Sequence, residues 1–223
     1  VKASITGSII GNLLLVLGAS MLAGGVKNGI QRFDQRQSGN HAVLLTLAIV
    51  ALVIPSLFGH SIGPDDSIEV EALSLGVAVV MIVLYLLGLI YSLKAAHSPL
   101  TIVPSENNVK APHLSKTQAF LMLLAATIGV VYLSEKLVGS VEEVMISWGV
   151  SEFFLGIILI PLIGNVAEHL VAVTVAIRNQ MDLSVEIAVS SSIQIALFVA
   201  PVLVFVSLAM GHPLTLMFNQ FEL

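Results

Sequence analysis

The sequence contains no cysteine and few charged residues. Lys, Arg, Asp and Glu make up 10% of the 223 residues, whereas soluble domains carry about a quarter. Without cysteine the chain cannot form disulfides or thiolate metal sites. The net charge of -5 comes with no basic patch, which argues against nucleic acid as a partner. No signal peptide precedes the first apolar run, so we expect Val1 to begin an internal piece of a longer chain.

Apolar residues are abundant instead. Hydrophobic side chains account for 57% of the sequence, and the mean hydropathy is +1.00. These values predict a multi-pass integral membrane protein in the lipid bilayer, in the plasma membrane if the source is prokaryotic. Six stretches approach the roughly 20 residues that cross a bilayer core, and each must be an α-helix because it satisfies its own backbone hydrogen bonds. They cover residues 3–25, 42–58, 72–93, 118–138, 153–177 and 183–211.

The connection at residues 94–117 divides the chain into two halves. It is the longest connection, it is polar and rich in proline, and it separates three spans in residues 1–93 from three in residues 118–223. Basic residues concentrate in the first, third and fifth connections, which the positive-inside rule places in the cytoplasm. Span one therefore enters from outside and span six leaves from inside. Residues 140–148 fit either a short interfacial helix or a polar loop.

An acid in the middle of the fifth span is the strongest functional signal. Glu168 lies ten residues before Arg178, or ~15 Å of helix at about 1.5 Å per residue. A charge at this depth costs at least about 3 kcal/mol and marks an ion or proton path. The same counting brings Asn12 and Gln194 to the same level. One acid, two amides and neighbouring hydroxyls are therefore expected at one depth.

Spans one and six carry the same polar pattern. Ser8 precedes Asn12 by one helical turn, as Ser190 precedes Gln194, so each hydroxyl shares a helix face with an amide. Similar segments of opposite orientation are typical of an inverted repeat in a transporter, with the substrate site at the repeat interface. Spans five and six are antiparallel neighbours because their connection is short, so Glu168 can face the second pair. The alternative is that small and polar residues only let helices pack closely.

Two residues predict a break in the fifth span. Pro161 removes a backbone donor and, with Gly164, should kink the helix just before Asn165. A broken span frees backbone carbonyls beside the acidic oxygen, and such an oxygen-rich set suits Ca2+ better than soft metals. His169 points about 100 degrees away from Glu168 around the helix. A proton-handling role and a packing role are both open for this histidine.

These motifs resemble those of a known family. Residues 164–169 (Gly-Asn-Val-Ala-Glu-His) with residues 190–201 are similar to the second signature repeat of the calcium/proton exchangers, the CAX branch of the cation/calcium antiporters. Residues 7–18 look like the helix that follows the first repeat. The resemblance implies an all-α transmembrane bundle in which the six spans belong to an inverted-repeat fold of about eleven. It also implies that a first signature, Gly-Asn-x-x-Glu, precedes Val1 and supplies a partner carboxylate.

The resemblance implies a secondary active transporter and not an enzyme. Glu168 and the partner carboxylate would bind Ca2+ when ionised and release it when protonated, by alternating access and without a cofactor. Ca2+ and H+ are the implied partners, and a homo-oligomer is left open. The implied cation- and proton-binding residues are Glu168, also the metal ligand, Asn165, Ser191, Gln194, Asn12 and Ser8, and those implied to support or gate the site are His169, Ser190, Gly164, Pro161 and Glu135.

Three other functions are compatible with parts of this pattern. The same fold can exchange Na+ or K+ for Ca2+, because a hydroxyl-rich site suits alkali ions too. A membrane-embedded hydrolase would also need an acid and a His at depth, but the sequence has no His-Glu-x-x-His motif. A structural subunit would tolerate replacement of Glu168.

Glu135 near the outer end of the fourth span fits two roles. It can line a vestibule, or it can form a snorkelling pair with Lys136 at the end of its helix.

Overall fold

The regular secondary structure of the chain is helical in the part that can be described. The computed structural model describes residues 1–64, 67–94 and 115–219, and all regular structure in these ranges is helical. The predicted all-α class is therefore confirmed. The α-helices are α1 (Lys2–Ile10), α2 (Leu17–Asn28), α3 (Gln35–Ile62), α4 (Ile68–Lys94), α5 (Lys116–Trp148), α6 (Glu152–Phe154), α7 (Ile160–Gly164), α8 (Val166–Ile177), α9 (Met181–Gln194) and α10 (Ala200–Ala209).

Up to six spans within the described ranges are long and apolar enough to cross a membrane. Five are unbroken, namely Lys2–Asn28, Ser38–Gly59, Ile68–Lys94, Lys116–Ser140 and Met181–Ala209. The sixth is the bent pair Glu152–Gly164 and Val166–Ile177. Each overlaps one stretch predicted from the sequence, so the prediction of six spans agrees with the structure. The predicted linker at residues 94–117 lies largely outside the described residues.

Two compact units make up the chain, Val1–Leu100 with Gly156–Leu223 and, separately, Thr101–Leu155. In the second unit, α5 begins with a capping box in which Ser115 and Gln118 each accept a backbone hydrogen bond from the other. The helix ends at Gly149, whose φ of 64° is left-handed. Residues 140–148 are the last turns of this same helix, so they form neither a separate interfacial helix nor a loop.

The first unit has a core of small and aliphatic side chains. Helix α2 packs against α8, α8 against α9, α3 against α4 and α9, and α10 against α4. Small residues at these contacts let the helices approach closely, as is typical of helices in lipid. One buried cluster comprises Ile5, Ile9, Ala48, Ala51, Leu52, Ala78, Met81, Ile193, Ala196, Leu197, Ala200, Val204, Leu216 and Phe218.

Gly7 determines how closely the first and fifth spans approach. It is buried in α1, and a Cβ atom at this position would collide with the backbone of Ile157. Glycine at a helix crossing removes this steric barrier. The close approach brings Ser8, the next residue, to the middle of the fifth span.

The extended segment after α10 returns to the core of the first unit. The backbone N–H of Leu216 donates to Ser74 Oγ at 3.1 Å, and that of Phe218 donates to Ser56 Oγ at 2.8 Å. Both phenylalanine and leucine side chains are buried here. The two serines, on α4 and α3, thus satisfy backbone N–H groups of a segment that belongs to no helix.

Spans one, five and six each contain a π-helical segment within the described residues. A π turn takes one extra residue and is frequent at functional sites. In spans five and six a proline, Pro161 or Pro201, follows the segment closely and cannot donate to an α-helical ladder. Asn12 lies inside the first segment, and Gln194 directly precedes the last. The segments are Gly11–Val16, Leu155–Leu159 and Ile195–Val199.

Candidate functional site

The fifth span breaks at Asn165. This residue has φ −106° and ψ 12°, outside the α-helical region, and the helices on its two sides are bent by 59°. The predicted kink is therefore confirmed, with Pro161 one turn before it. Glu168 lies in the first turn of α8, where free backbone N–H groups and the helix dipole favour a carboxylate.

Two hydrogen bonds link the first span to the fifth at this break. Asn165 Nδ2 donates to Ser8 Oγ at 3.3 Å, and Asn12 Oδ1 lies 3.2 Å from His169 Nε2. The two bonds are one helical turn apart on both spans. Because the residue numbers rise together along both helices, the spans run parallel here. The positive-inside rule gives the same result, since it directs both spans from outside to inside.

Glu168 points away from this pair of bonds and towards the sixth span. Ser191 Oγ donates to Glu168 Oε2 at 2.6 Å, the length of a charge-assisted hydrogen bond. Its neighbour His169 contacts the first span instead, as the rotation of about 100 degrees per residue predicts. Glu168 itself is exposed, whereas Ser191 is half-buried. The break therefore places an acid and a histidine against two different helices.

Ser191, and not Ser190, is the serine opposite Glu168. The sequence predicts that this acid can face Ser190 and Gln194. In the structure, Ser190 Oγ donates to Glu186 Oε1 at 3.1 Å, on another face of α9. Consecutive helical residues are about 100 degrees apart, so adjacent serines serve different acids. Counting residues predicts the depth of a side chain in the membrane. It does not predict the direction of the side chain around the helix, and an error of one residue turns that direction by about 100 degrees.

Asn12 is buried with one polar atom unmatched. Its side chain is 1% exposed, and its Nδ2 has no hydrogen-bond partner among the described residues. If the amide turns over, Nδ2 donates to His169 Nε2 and the oxygen becomes the unmatched atom. In either orientation one polar atom of the Asn12 side chain has no hydrogen-bond partner among the described residues. In the turned orientation that atom is the amide oxygen, which suits a hard cation.

A cavity of about 320 Å³ adjoins these bonds. Ser8, Asn165 and His169 line it together with Pro161 and apolar side chains of the first and fifth spans. At about 30 Å³ per water molecule in the liquid, the volume is large enough for several waters or a hydrated ion. Most of the lining is apolar, so the polar groups within the cavity are those of Ser8, Asn165 and His169.

The remaining predicted site residues lie at the edges of this arrangement or outside it. Gly164 is the last residue of α7, and Gln194 is an exposed residue at the end of α9. Glu135 is exposed on α5, in the other compact unit. Beside it, Lys136 Nζ lies 5.7 Å from the centre of the Tyr132 ring. Because α5 continues to Trp148, Glu135 and Lys136 do not lie at a helix end as predicted, and the Lys136 ammonium group lies over the neighbouring aromatic ring.

Sequence reasoning passes over a second acid in the membrane region. Glu186 on α9 is 7% exposed, and its Oε2 lies 3.3 Å from His41 Nδ1 on α3. The signal was present, because Glu186 lies inside the sixth apolar stretch, one turn before Ser190. The histidine had no such signal, since only the packing of α3 on α9 brings it to the acid.

The described residues hold no group of three His, Asp or Glu side chains close enough to bind a metal ion together. Glu168 is therefore not part of such a group among these residues, and its side chain accepts a hydrogen bond from Ser191. A divalent cation at this position would need these oxygens together with backbone carbonyls or a second carboxylate.

A sequence match to the serine-hydrolase motif does not have the structure that this motif requires. Residues 59–63 read Gly-His-Ser-Ile-Gly, which matches the Gly-x-Ser-x-Gly pattern of serine hydrolases. That pattern requires a sharp turn from a strand to a helix. Here the segment forms the final turn of α3 and the residue after it. The match is therefore a coincidence of sequence, and it does not support a hydrolase.

Comparison with known proteins agrees with the motifs. The sodium/calcium exchanger protein family matches residues 1–94 and 118–223. A Ca(2+)/H(+) antiporter of Aphanothece halophytica is 44% identical, with 100% of this chain and 63% of the relative aligned. The Ca(2+)/H(+) antiporter ChaA of Bacillus subtilis is 41% identical, with 100% and 64% aligned. This chain thus spans less than two thirds of the length of these relatives.

Solved structures share the fold. The structure of native YfkE superposes with a TM-score of 0.80 at 39% identity, over 100% of this chain and 62% of that one. The H+/Ca2+ exchanger CAX superposes with a TM-score of 0.67 at 17% identity, over 99% of this chain and 54% of that one, which shows a common fold only. The resemblance carried by residues 164–169 and 190–201 is confirmed by these relatives. The chain belongs to the sodium/calcium exchanger protein family.

Proposed function

We propose that the full-length protein exchanges Ca2+ for H+ across a membrane by alternating access, and that the two ions compete for Glu168. The observation that carries this proposal is the bond of 2.6 Å between Ser191 and Glu168 at a broken span. A carboxylate, a hydroxyl and a helix N-terminus lie together there, and counting residues along the span supports a mid-membrane depth for them. The names of the relatives, which are Ca(2+)/H(+) antiporters, support the choice of ions.

The competition follows from the chemistry of a carboxylate. An ionised Glu168 offers two oxygens to a hard cation, and the Ser191 hydroxyl can turn its lone pairs to the same ion. A proton on Glu168 removes the charge and one acceptor oxygen, so the cation leaves. The gradient of protons then drives the cation, and the exchange needs no cofactor. A second carboxylate, expected before Val1 from the family resemblance, would complete the ligand set.

We assign the bonds between the first and fifth spans a supporting role. Ser8 and Asn12 hold Asn165 and His169 on the two sides of the break. They fix the direction in which α8 leaves the break, and with it the position of Glu168. Asn12 in its second amide orientation would add an oxygen at the same depth.

The halves at residues 1–93 and 118–223 are proposed to be parts of two inverted repeats. Support comes from the first and sixth spans, in which an amide, Asn12 or Gln194, lies at a π-helical segment. The two spans are expected to cross the membrane in opposite directions. This arrangement is typical of transporters in which one repeat rocks against the other around a fixed site.

The alternative function is exchange of Na+ or K+ for Ca2+ by the same fold. The family description, sodium/calcium exchanger protein, favours it, and hydroxyl and amide oxygens suit alkali ions as well. The two functions predict different driving ions, so one transport assay separates them.

The assay is Ca2+ uptake into vesicles that contain the full-length protein, driven by an imposed pH gradient. Proton exchange predicts uptake in buffers free of Na+ and K+, and its collapse when a protonophore is added. Vesicles without the protein provide the baseline. Uptake that requires a Na+ or K+ gradient and ignores the protonophore would overturn the proposal in favour of the alternative.

A further inference from the structure

The extended segment that follows α10 is buried among the helices of the first unit. Residues 212–218 of this segment are called the outer strap below. The chain turns into the strap at Gly211, whose φ of 76° is left-handed and favours glycine. Residues 215–218 are at most 8% exposed. The turn therefore folds the strap back into the bundle.

Lys2, at the start of the first span, donates to the strap. Its Nζ lies 2.6 Å from the backbone oxygen of Met217 and 3.4 Å from Thr215 Oγ1. Hydrogen bonds from a charged donor are short and are roughly twice as strong as neutral ones. The Lys2 ammonium group therefore ties the strap to the first span more firmly than a neutral hydrogen bond would.

The second and third spans hold the strap through serine side chains. The hydroxyl oxygens of Ser56 on α3 and Ser74 on α4 accept hydrogen bonds from backbone N–H groups of the strap. Gly59, about one turn after Ser56, makes room for it, because a Cβ atom there would collide with the side chain of Met217. These bonds use side chains of the helices. The strap can therefore detach while the helices keep their own backbone hydrogen bonds.

The strap lies on the outer side of the proposed ion site. The positive-inside rule directs the sixth span from inside to outside, so we expect the strap at the outer ends of the helices. Ser56 and Ser74 each lie six residues from the outer end of their helix, or about 9 Å. Leu216 belongs to the same buried cluster as Ile193, which directly precedes Gln194. The strap thus reaches inwards towards the level of the site.

We propose that the outer strap is a gate on the outer side of the transporter, which Lys2 holds shut in this structure and which turns about Gly211 when the site opens outwards. The gate rests on the proposed alternating access for its role, because such transport needs a barrier that closes one side of the site while the other side is open. A short segment that turns about a few backbone dihedrals is a usual form of such a barrier.

The test is the rate at which a thiol reagent reaches the strap. The 223 residues contain no cysteine, so Thr215→Cys, in full-length protein without other cysteines, is a single reporter at a buried position. A membrane-impermeant maleimide is added to the outside of right-side-out vesicles. A buried cysteine reacts only when the segment around it opens, so its labelling rate follows the open fraction.

Lys2→Met, in the Thr215→Cys background, should raise the labelling rate about tenfold, because a hydrogen bond from a charged group stabilises the closed state by at least about that factor. Ser56→Ala releases the strap from α3 and should also raise the rate, so the test does not depend on the folding of one variant. Lys27→Met, at an exposed lysine near the other end of the first span, is the matched control and should leave the rate unchanged. His212→Cys, at an exposed position of the strap, should be labelled at the same rate in every background.

Turnover separates a gate from a permanent seal. Gradients of Ca2+ and pH that drive exchange should speed the labelling of Thr215→Cys in otherwise wild-type protein, because the outward-open state is then populated. Labelling that both Lys2→Met and Ser56→Ala leave unchanged, or that is the same with and without turnover, would overturn the gate. Exchange that requires Na+ or K+ in place of H+ would instead overturn the proposed function, and the same labelling under those gradients would test the gate.

Discussion

At the scale of the residue, the chemistry of the candidate site depends on which side chains are in contact with Glu168. The depth of Glu168, Asn12 and Gln194 follows from counting along apolar runs, and the break at Asn165 follows from Pro161. The bond from Ser191 to Glu168 could not be predicted, because adjacent serines lie about 100 degrees apart on a helix and nothing in one sequence orients that helix.

Ser191→Ala tests this bond. Removal of a hydroxyl that donates to a carboxylate at 2.6 Å should lower the apparent affinity for Ca2+ by about tenfold, because a hydrogen bond to a charged group contributes about 1.5 kcal/mol or more. The measurement is the Ca2+ concentration that gives half-maximal uptake.

Ser192→Ala is the matched control for that change. Ser192 is buried and donates only within its own helix, to the carbonyl of Ala188. Its loss should leave the half-maximal Ca2+ concentration close to that of wild type, because its hydroxyl bonds a carbonyl of its own helix and not Glu168. Equal effects of the two substitutions would show that Ser191 has no special relation to the cation.

At the scale of the element, the break and the π-helical segments position the site. Proline and glycine predict where a helix is perturbed, and the kink at Asn165 bears this out. These residues do not predict whether the helix forms a kink or a π turn. Pro201 lies just after the π turn at Ile195–Val199, but the π turn at Gly11–Val16 has no proline near it, so proline alone does not predict where a π turn forms. Glu186 was within reach of sequence reasoning, whereas its partner His41 required the packing of α3 on α9.

Gly7→Ala tests the close approach of the first and fifth spans. A Cβ atom would meet the backbone of Ile157, which cannot move as a side chain can, so the spans should separate and weaken the bond from Asn165 to Ser8. We expect a loss of about 1–3 kcal/mol of stability, the usual cost of overpacking. Thermal unfolding of the protein in detergent measures it.

Gly18→Ala is the control for this substitution. A Cβ at Gly18 meets nothing within 4 Å, and alanine has the higher helix propensity by about 1 kcal/mol. Its unfolding temperature should equal or exceed that of wild type. If Gly7→Ala were as stable as Gly18→Ala, the crossing would not depend on the glycine.

At the scale of the whole molecule, the relative direction of the first and fifth spans in the structure agrees with the direction predicted from the basic residues. The hydrogen bonds between Asn165 and Ser8 and between His169 and Asn12 show that the first and fifth spans are parallel, as the distribution of Lys and Arg predicts. Composition alone was sufficient for the class of protein, and motifs were sufficient for the family. The proposed ligands of the cation required more, because they lie on helices far apart in the sequence and include a carboxylate that the family resemblance leads us to expect before Val1.

The central claim is that Ca2+ and H+ compete for Glu168, and Glu168→Gln tests it most directly. Gln keeps the size of the side chain and can neither ionise nor exchange a proton. The measurement is Ca2+ uptake, driven by a pH gradient, into vesicles with equal amounts of wild-type or variant full-length protein. Glu143→Gln, at an exposed acid on α5, is the control. We predict that Glu168→Gln falls to the level of empty vesicles while the control transports as wild type does. Undiminished uptake by Glu168→Gln would contradict the account.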